Sequence, residues 1–169
     1  NITICEGAAA TFSVTATTGV GSLSYQWQLS TNGGTTYNNI TGATASSFAQ
    51  ASVPVGQNGY RFRVIVTAGC GSVTSNTGGI LTVNAFPVIT FSPVTVVCLS
   101  DAAFSLSASP SGGAFSGAGV SGSTFTPSVA GVGPKVITYT VSNAGCQSVS
   151  TRTILVNECA ERHLTLSQY

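Results

Sequence analysis

The chain of 169 residues carries five Lys or Arg and four Asp or Glu, a net charge of +1 and 5% charged residues, where a soluble globular domain averages about 25%. That balance excludes the basic surface on which nucleic-acid affinity depends, the cationic face of a helix lying on an anionic membrane and charge-rich disorder. Mean hydropathy is +0.37, yet Ser and Thr interrupt every apolar run, so none approaches the ~20 residues of a membrane-spanning helix.

The length accommodates one large domain or two small ones. The chain has no methionine and opens at Asn1 without the pattern of a leader, so we expect a piece of a longer precursor whose export signal lies elsewhere. After Cys5, Ala10, Phe12, Val14 and Ala16 alternate with Thr11, Ser13 and Thr15, the period of a strand buried on one face. Leu23, Tyr25, Trp27 and Leu29 alternate with Ser24, Gln26 and Gln28 in a second strand, which stops at the hairpin signal Asn32-Gly33-Gly34. Tyr60, Phe62, Val64 and Val66 form a third, with Arg61 and Arg63 on its outer face. A turn at 68–71 leads into a last strand at 80–83, and the linker Asn84-Ala85-Phe86-Pro87 is too short for free domain movement.

Beyond the linker, Cys98 precedes another alternating run in which Phe104, Leu106 and Ala108 are separated by Ser105 and Ser107. The stretch 109–134 is Gly-rich and has no clear period, with Phe115 and Phe125 as its expected core anchors. A closing hairpin turns Ile137, Tyr139 and Val141 inward and Thr138, Thr140 and Ser142 outward, then returns over 149–156. Short strands punctuated by Gly and Asn, with no helical period, predict an all-β chain built as β-sandwiches.

A repeat organises these strands. Ala68-Gly69-Cys70-Gly71-Ser72-Val73-Thr74-Ser75 recurs as Ala144-Gly145-Cys146-Gln147-Ser148-Val149-Ser150-Thr151, which implies two related units. Four positions separate Val66 from Cys70 and five separate Val141 from Cys146, a difference that a bulge or longer turn in the second copy would absorb. None of the five cysteines forms a C-x-x-C pair, which argues against zinc and thioredoxin-type chemistry. If the units are homologous, Cys5 joins Cys70 and Cys98 joins Cys146, each bond contributing about 4 kcal/mol, and Cys159 is left unpaired or free for an intermolecular bond. The alternative is a set of buried free thiols.

The segments Tyr25-Gln26-Trp27-Gln28-Leu29-Ser30-Thr31-Asn32-Gly33-Gly34-Thr35-Thr36-Tyr37, Asn58-Gly59-Tyr60-Arg61-Phe62-Arg63-Val64 and Ala68-Gly69-Cys70-Gly71-Ser72 resemble the immunoglobulin-like repeats of very large cell-surface adhesins of gliding bacteria, the SprB-type proteins exported by type IX secretion. Gly117-Ala118-Gly119-Val120-Ser121-Gly122 and Ile137-Thr138-Tyr139-Thr140-Val141 are similar to another repeat type of the same proteins. The resemblance implies two tandem immunoglobulin-like β-sandwich domains, 1–84 and 85–157, followed by a tail or the start of a further repeat at 158–169. Trp27 then stands where such a fold places its strand-C tryptophan, and Tyr60 resembles the tyrosine-corner residue. Phe62 occupies the place of an antibody domain's second cysteine, and Phe12 or Val14 that of the first, so packing by Phe12, Trp27, Tyr60, Phe62 and Tyr139 is expected to hold the cores.

Catalysis is not expected. The sole histidine, His163, lies in the tail, which excludes a Ser-His-Asp or Cys-His site within either sandwich. Glu6 and Asp101 follow the first cysteine of their units and read as turn caps at matching positions rather than an acid pair flanking a cleft. Acids do not cluster as calcium needs, Cys159 and His163 make only two ligands of a metal site, and no cofactor is expected. Tyr37 beside Asn-Gly loops offers a platform for a sugar, against the plainer reading of a core aromatic. In the tail, Leu164 and Leu166, with Tyr169 beyond them, alternate as a strand able to add to a neighbour's sheet edge. These features, with edge strands lacking charged gatekeepers, point to a non-catalytic structural or adhesive segment of an extracellular, cell-surface adhesin or filament. Its expected partners are neighbouring repeats, other subunits or surface polysaccharide. The alternative is a carbohydrate-binding accessory module of a secreted enzyme.

Overall fold

The structure, a computed structural model, describes residues 1–159 apart from Val20, Cys70, Asn76 and Thr77. It divides into two compact units, Asn1–Phe86 and Pro87–Tyr169, both built almost wholly of strands.

The first unit contains β1 (Ile2–Cys5), β2 (Ala10–Ser13), β3 (Ser24–Ser30), β4 (Asn38–Asn39), β5 (Ser47–Gln50), β6 (Arg61–Ala68), β7 (Gly71–Thr74) and β8 (Gly79–Asn84). Its larger sheet runs β1-β8-β6-β3-β4, with β7 also on β6, and β2 pairs with β5 in the facing sheet. Alternation does what the sequence predicts: Tyr25, Trp27 and Leu29 point inward from β3, and Phe62, Val64 and Val66 meet them from the antiparallel β6. Aromatic rings bridge the two sheets. Phe12 of β2 stacks on Phe62 with centroids 4.5 Å apart, and Phe48 of β5 lies 5.6 Å from Phe62 and 6.3 Å from Trp27. Trp27 is 3% exposed and satisfies its indole N–H on the Ala45 carbonyl at 2.9 Å, as a buried indole must. Tyr60 packs half-buried against the same cluster.

The second unit contains β9 (Thr90–Phe91), β10 (Val96–Cys98), β11 (Phe104–Ser105), β12 (Ala108–Ser109), β13 (Ala114–Ser116), β14 (Val120–Ser121), β15 (Thr124–Phe125), the short helix α1 (Pro127–Ala130), β16 (Gly133–Asn143) and β17 (Cys146–Asn157). Its main sheet is β10-β17-β16-β13, faced by β11-β15-β14 and the pair β12-β9. The run 104–108, expected as one strand, is two: Phe104 pairs with Phe125, whereas Ala108 pairs with Phe91. Its inward residues keep their period while the backbone changes partners, which side-chain alternation cannot reveal. Ile137 and Ile154 are buried with Phe125 in one cluster, and Phe115 packs half-buried against it. Tyr139, 2% exposed, donates its hydroxyl to the Pro110 carbonyl at 2.7 Å and accepts the Gly113 N–H at 2.8 Å. A Cβ on Gly113 would collide with the Thr140 carbonyl, and one on Gly119 would lie 2.5 Å from the Ala130 Cβ. The Gly-rich segment is therefore a tightly apposed wall of the sandwich, with no period because it carries little side chain.

The second hairpin carries neither the bulge nor the longer turn expected of it. Pairing in the second unit is continuous from Gly133↔Val156 to Asn143↔Cys146, and in the first from Ile65↔Thr74 to Ala68↔Gly71. Two residues join the strands each time, but the repeated motif is set one residue differently across the turn. Ala144 and Gly145 form the second turn with φ of 48° and 86°, and Cys146 becomes a paired strand residue. A one-residue slip turns every side chain to the opposite face, so matching letters in the two copies are not matching positions.

Candidate functional site

That slip governs the cysteines. In each unit the first strand lies parallel to the last: Cys5 is level with Asn84 and Cys98 with Asn157. Cys98 is bonded to Cys159, two residues beyond Asn157, with Cα atoms 5.3 Å apart. The expected Cys98–Cys146 bond is thus incorrect, and so is an unpaired Cys159. Cys146 opens the 12-residue β17 at its far end, on the order of 35 Å from Asn157 at ~3.3 Å per residue, where a disulfide needs Cα atoms within about 7 Å. Cys5 takes part in a disulfide, and so does Cys146. Cys70, the expected partner of Cys5, lies outside the described residues. Four oxidised cysteines fit an extracellular or secreted setting.

The acids do not match either. Asp101 caps its turn, its carboxylate accepting the Cys98 N–H at 2.8 Å while its own N–H reaches the Cys98 carbonyl at 3.1 Å. In the first unit the residue donating to the Cys5 carbonyl is Ala8, and Glu6 stands where Leu99 stands, each giving its N–H to the last strand. Among the described residues no three His, Cys, Asp or Glu side chains gather as metal ligands, and no helix is long and apolar enough to cross a membrane. The tail positions Leu164, Leu166 and Tyr169 lie outside the described residues, as does His163.

The polar side chains that do gather lie on the outer face of β3 and β6. Gln28, 9% exposed, accepts the Arg63 Nε–H at 2.6 Å and donates to the Asn39 side-chain oxygen at 2.7 Å. The Arg63 guanidinium sits 4.0 Å from the centroid of the Tyr37 ring. The β3–β4 connection folds over this face because Ser30 and Asn32 stitch it: the Ser30 hydroxyl accepts the Gly34 N–H at 2.9 Å and donates to Asn32 Oδ1, which also accepts the Thr36 N–H at 3.0 Å. Gly34, at φ 95°, leaves room for Arg61 and the Tyr37 hydroxyl. Tyr37 is therefore neither core nor an open platform, since a guanidinium covers one face of its ring. Strand period alone sets both arginines outward and assigns them no role. The signal was there: they are the only Lys or Arg before residue 135, two positions apart.

A second feature is a groove of about 540 Å³ beside β7, lined by Val14, Leu23, Val66 and the 73%-exposed Val73 and, among the described residues, by no ionisable side chain.

Residues 1–85 match the family described as "Domain of unknown function (DUF8696)". No curated protein matches the chain. Among solved structures, the I-band fragment I67-I69 from titin is 16% identical with a TM-score of 0.51, over 93% of this chain and 62% of the fragment. The N-terminal four Ig domains of Dscam1 isoform 6.9 are 12% identical with a TM-score of 0.48, over 92% of this chain and 43% of theirs. The chain spans less than two thirds of either. The titin likeness shows the fold, tandem immunoglobulin-like sandwiches, and at that identity nothing more.

Proposed function

The chain belongs to the DUF8696 family through its first unit, and from that premise we propose that it is a non-catalytic, load-bearing structural or adhesive segment of an extracellular bacterial adhesin or filament. One observation carries this reading: in both units the entering and leaving strands are hydrogen-bonded in parallel, β1 on β8 and β10 on β17. Tension along the chain pulls such a pair in opposite directions. The ladder is loaded in shear, so its bonds must fail together rather than one at a time. The pair in the second unit is lengthened by the Leu155 N–H to Thr95 carbonyl bond of 2.9 Å and the Leu99 N–H to Asn157 carbonyl bond of 2.8 Å. Cys98–Cys159 then bridges 61 residues covalently, and Cys5 is itself disulfide-bonded.

The resemblance to repeats of gliding-bacterial adhesins supports the same reading and suggests type IX export and a place on the cell surface. The carbohydrate-module alternative loses its sharpest support, because Arg63 covers a face of Tyr37. Single-molecule stretching tests the proposal. Without reductant the 61-residue span closed by Cys98–Cys159 should release no length. With reductant the full extension should grow by at least about 200 Å, at up to ~3.6 Å per freed residue. Equal extension in both conditions, or unfolding at forces no higher than those of an unsheared sandwich, refutes a load-bearing role.

A further inference from the structure

We propose that Arg61 and Arg63 form a binding site for the carboxylates of an acidic polysaccharide on the outer face of β6. The proposal rests on the adhesive reading for its biological sense and deepens it by naming the partner. Alternate residues of a strand face the same way roughly 7 Å apart, so the two arginine side chains leave β6 on one face, where Arg61 is paired across the sheet with Ser30 and Arg63 with Gln28. The unit's single acid, Glu6, gives its N–H to Asn84, four residues along β8 from Ile80, the partner of Arg61. Among the described residues of this unit, two like charges are thus held on one face without a compensating carboxylate beside them, an arrangement that a bound anion relieves.

Arg63 is also organised in advance. Its Nε–H is committed to Gln28, itself fixed by Asn39, and its plane rests on Tyr37. The Nη end of the guanidinium stays available for the forked contact that carboxylates favour, and little side-chain entropy remains to be lost on binding. Two cations at this separation suit a polymer with a carboxylate on successive units better than a lone anion. The surroundings favour a sugar over an acidic peptide: exposed Thr35, Thr36, Asn38 and Asn39 offer hydroxyl and amide groups, whereas the exposed large apolar side chains of this unit, Val55, Val73 and Phe86, belong to other segments.

The test is calorimetric titration of the intact chain with oligogalacturonate, using its methyl ester as the neutral control. The acid form should bind about tenfold more tightly than the ester and weaken as salt rises from about 50 to about 200 mM. Arg63→Gln and Arg61→Gln should each lower affinity about fivefold or more, while Lys135→Gln, in the second unit, should leave it unchanged. Trp27 fluorescence reports the folding of the unit that holds the site, and the Arg61→Gln result decides if Arg63→Gln disturbs it. Undetectable binding of the acid form, equal binding of acid and ester, or an equal effect of Lys135→Gln overturns the proposal. Tighter binding of polyglutamate than of oligogalacturonate overturns the saccharide assignment. A chain that fails here yet extends only with reductant keeps its load-bearing role and loses this partner.

Discussion

In the first unit three phenylalanine rings and Trp27 interleave between the sheets, with Phe12 stacked on Phe62 at 4.5 Å. The second unit has its rings in two separate groups, Phe104 with Phe125 and both Phe91 and Phe115 with Tyr139, with Gly113 tight against the neighbouring strand and Gly119 against α1, and Cys98–Cys159 closes its end. Both are the same sandwich, stabilised at different places. Where large rings fill the space between sheets, stability sits in the middle and depends on shape. Where the rings fall into separate groups, a covalent bond also limits the unfolded chain. Their outer faces differ in the same spirit. The first carries Arg, Gln and Asn under a folded-over loop; the second presents Val136, Thr138, Thr140, Val149, Thr151 and Thr153, with Val136 57% and Val149 59% exposed.

Trp27→Ala tests the first half of this contrast and should have the largest effect, about 3 to 5 kcal/mol, since it opens a cavity among Phe12, Phe48 and Phe62 and orphans the Ala45 carbonyl. Calorimetry should show the first unit's transition fall while the second unit's stays. A loss under about 1 kcal/mol would mean that the ring stack does not carry the first core.

Replacing Cys98 and Cys159 together by serine tests the other half. The loop spans 61 residues, and freeing it should cost about 2 to 4 kcal/mol, felt by the second unit alone. Because the only tryptophan lies in the first unit, Trp27 fluorescence should follow an unchanged denaturation curve while far-ultraviolet dichroism records the earlier loss. Coincident shifts in both signals would show that the two units do not unfold as separate bodies.

What the sequence made legible was what alternation encodes: the inward faces of β2, β3, β6 and β16, and with them Phe12, Trp27, Phe62 and Tyr139 as core residues. The cysteine pairing was illegible for a specific reason. A repeated string fixes homology, but register fixes neighbours, and the motif carrying Cys146 sits one residue out of step with the motif carrying Cys70. The contact that decides Cys98–Cys159 is a parallel pairing between the first and last strands of a unit, residues about 60 apart that no local pattern joins. The polar cluster was half visible: Arg61 and Arg63 could be set on the outer face from period 2 alone, but their meeting with Tyr37 depends on how the Ser30 and Asn32 side chains fold the loop back.

The smallest expected effect bears on the turns after Cys5 and Cys98, which close with the same backbone hydrogen bond although Gly7 takes a positive φ of 79° in the first, and which differ in one capping side chain. Both close with an N–H three residues on donating to the cysteine carbonyl at 3.1 Å, from Ala8 in one and Asp101 in the other. Only Asp101 adds a side-chain oxygen, accepting the Cys98 N–H at 2.8 Å. Asp101 is exposed, so solvent screens this contact and its net worth is at the low end for a hydrogen bond to a charged group. Asp101→Ala should therefore lower the second unit by about 0.5 to 1 kcal/mol, and Glu6→Ala should change the first by less than about 0.5 kcal/mol, because Glu6 contributes its backbone N–H and that survives the substitution. Denaturant midpoints at neutral pH measure both. Equal losses would restore the two acids to matching capping roles and would mean that sequence position after the cysteine, rather than the hydrogen-bonded turn, sets what each carboxylate does.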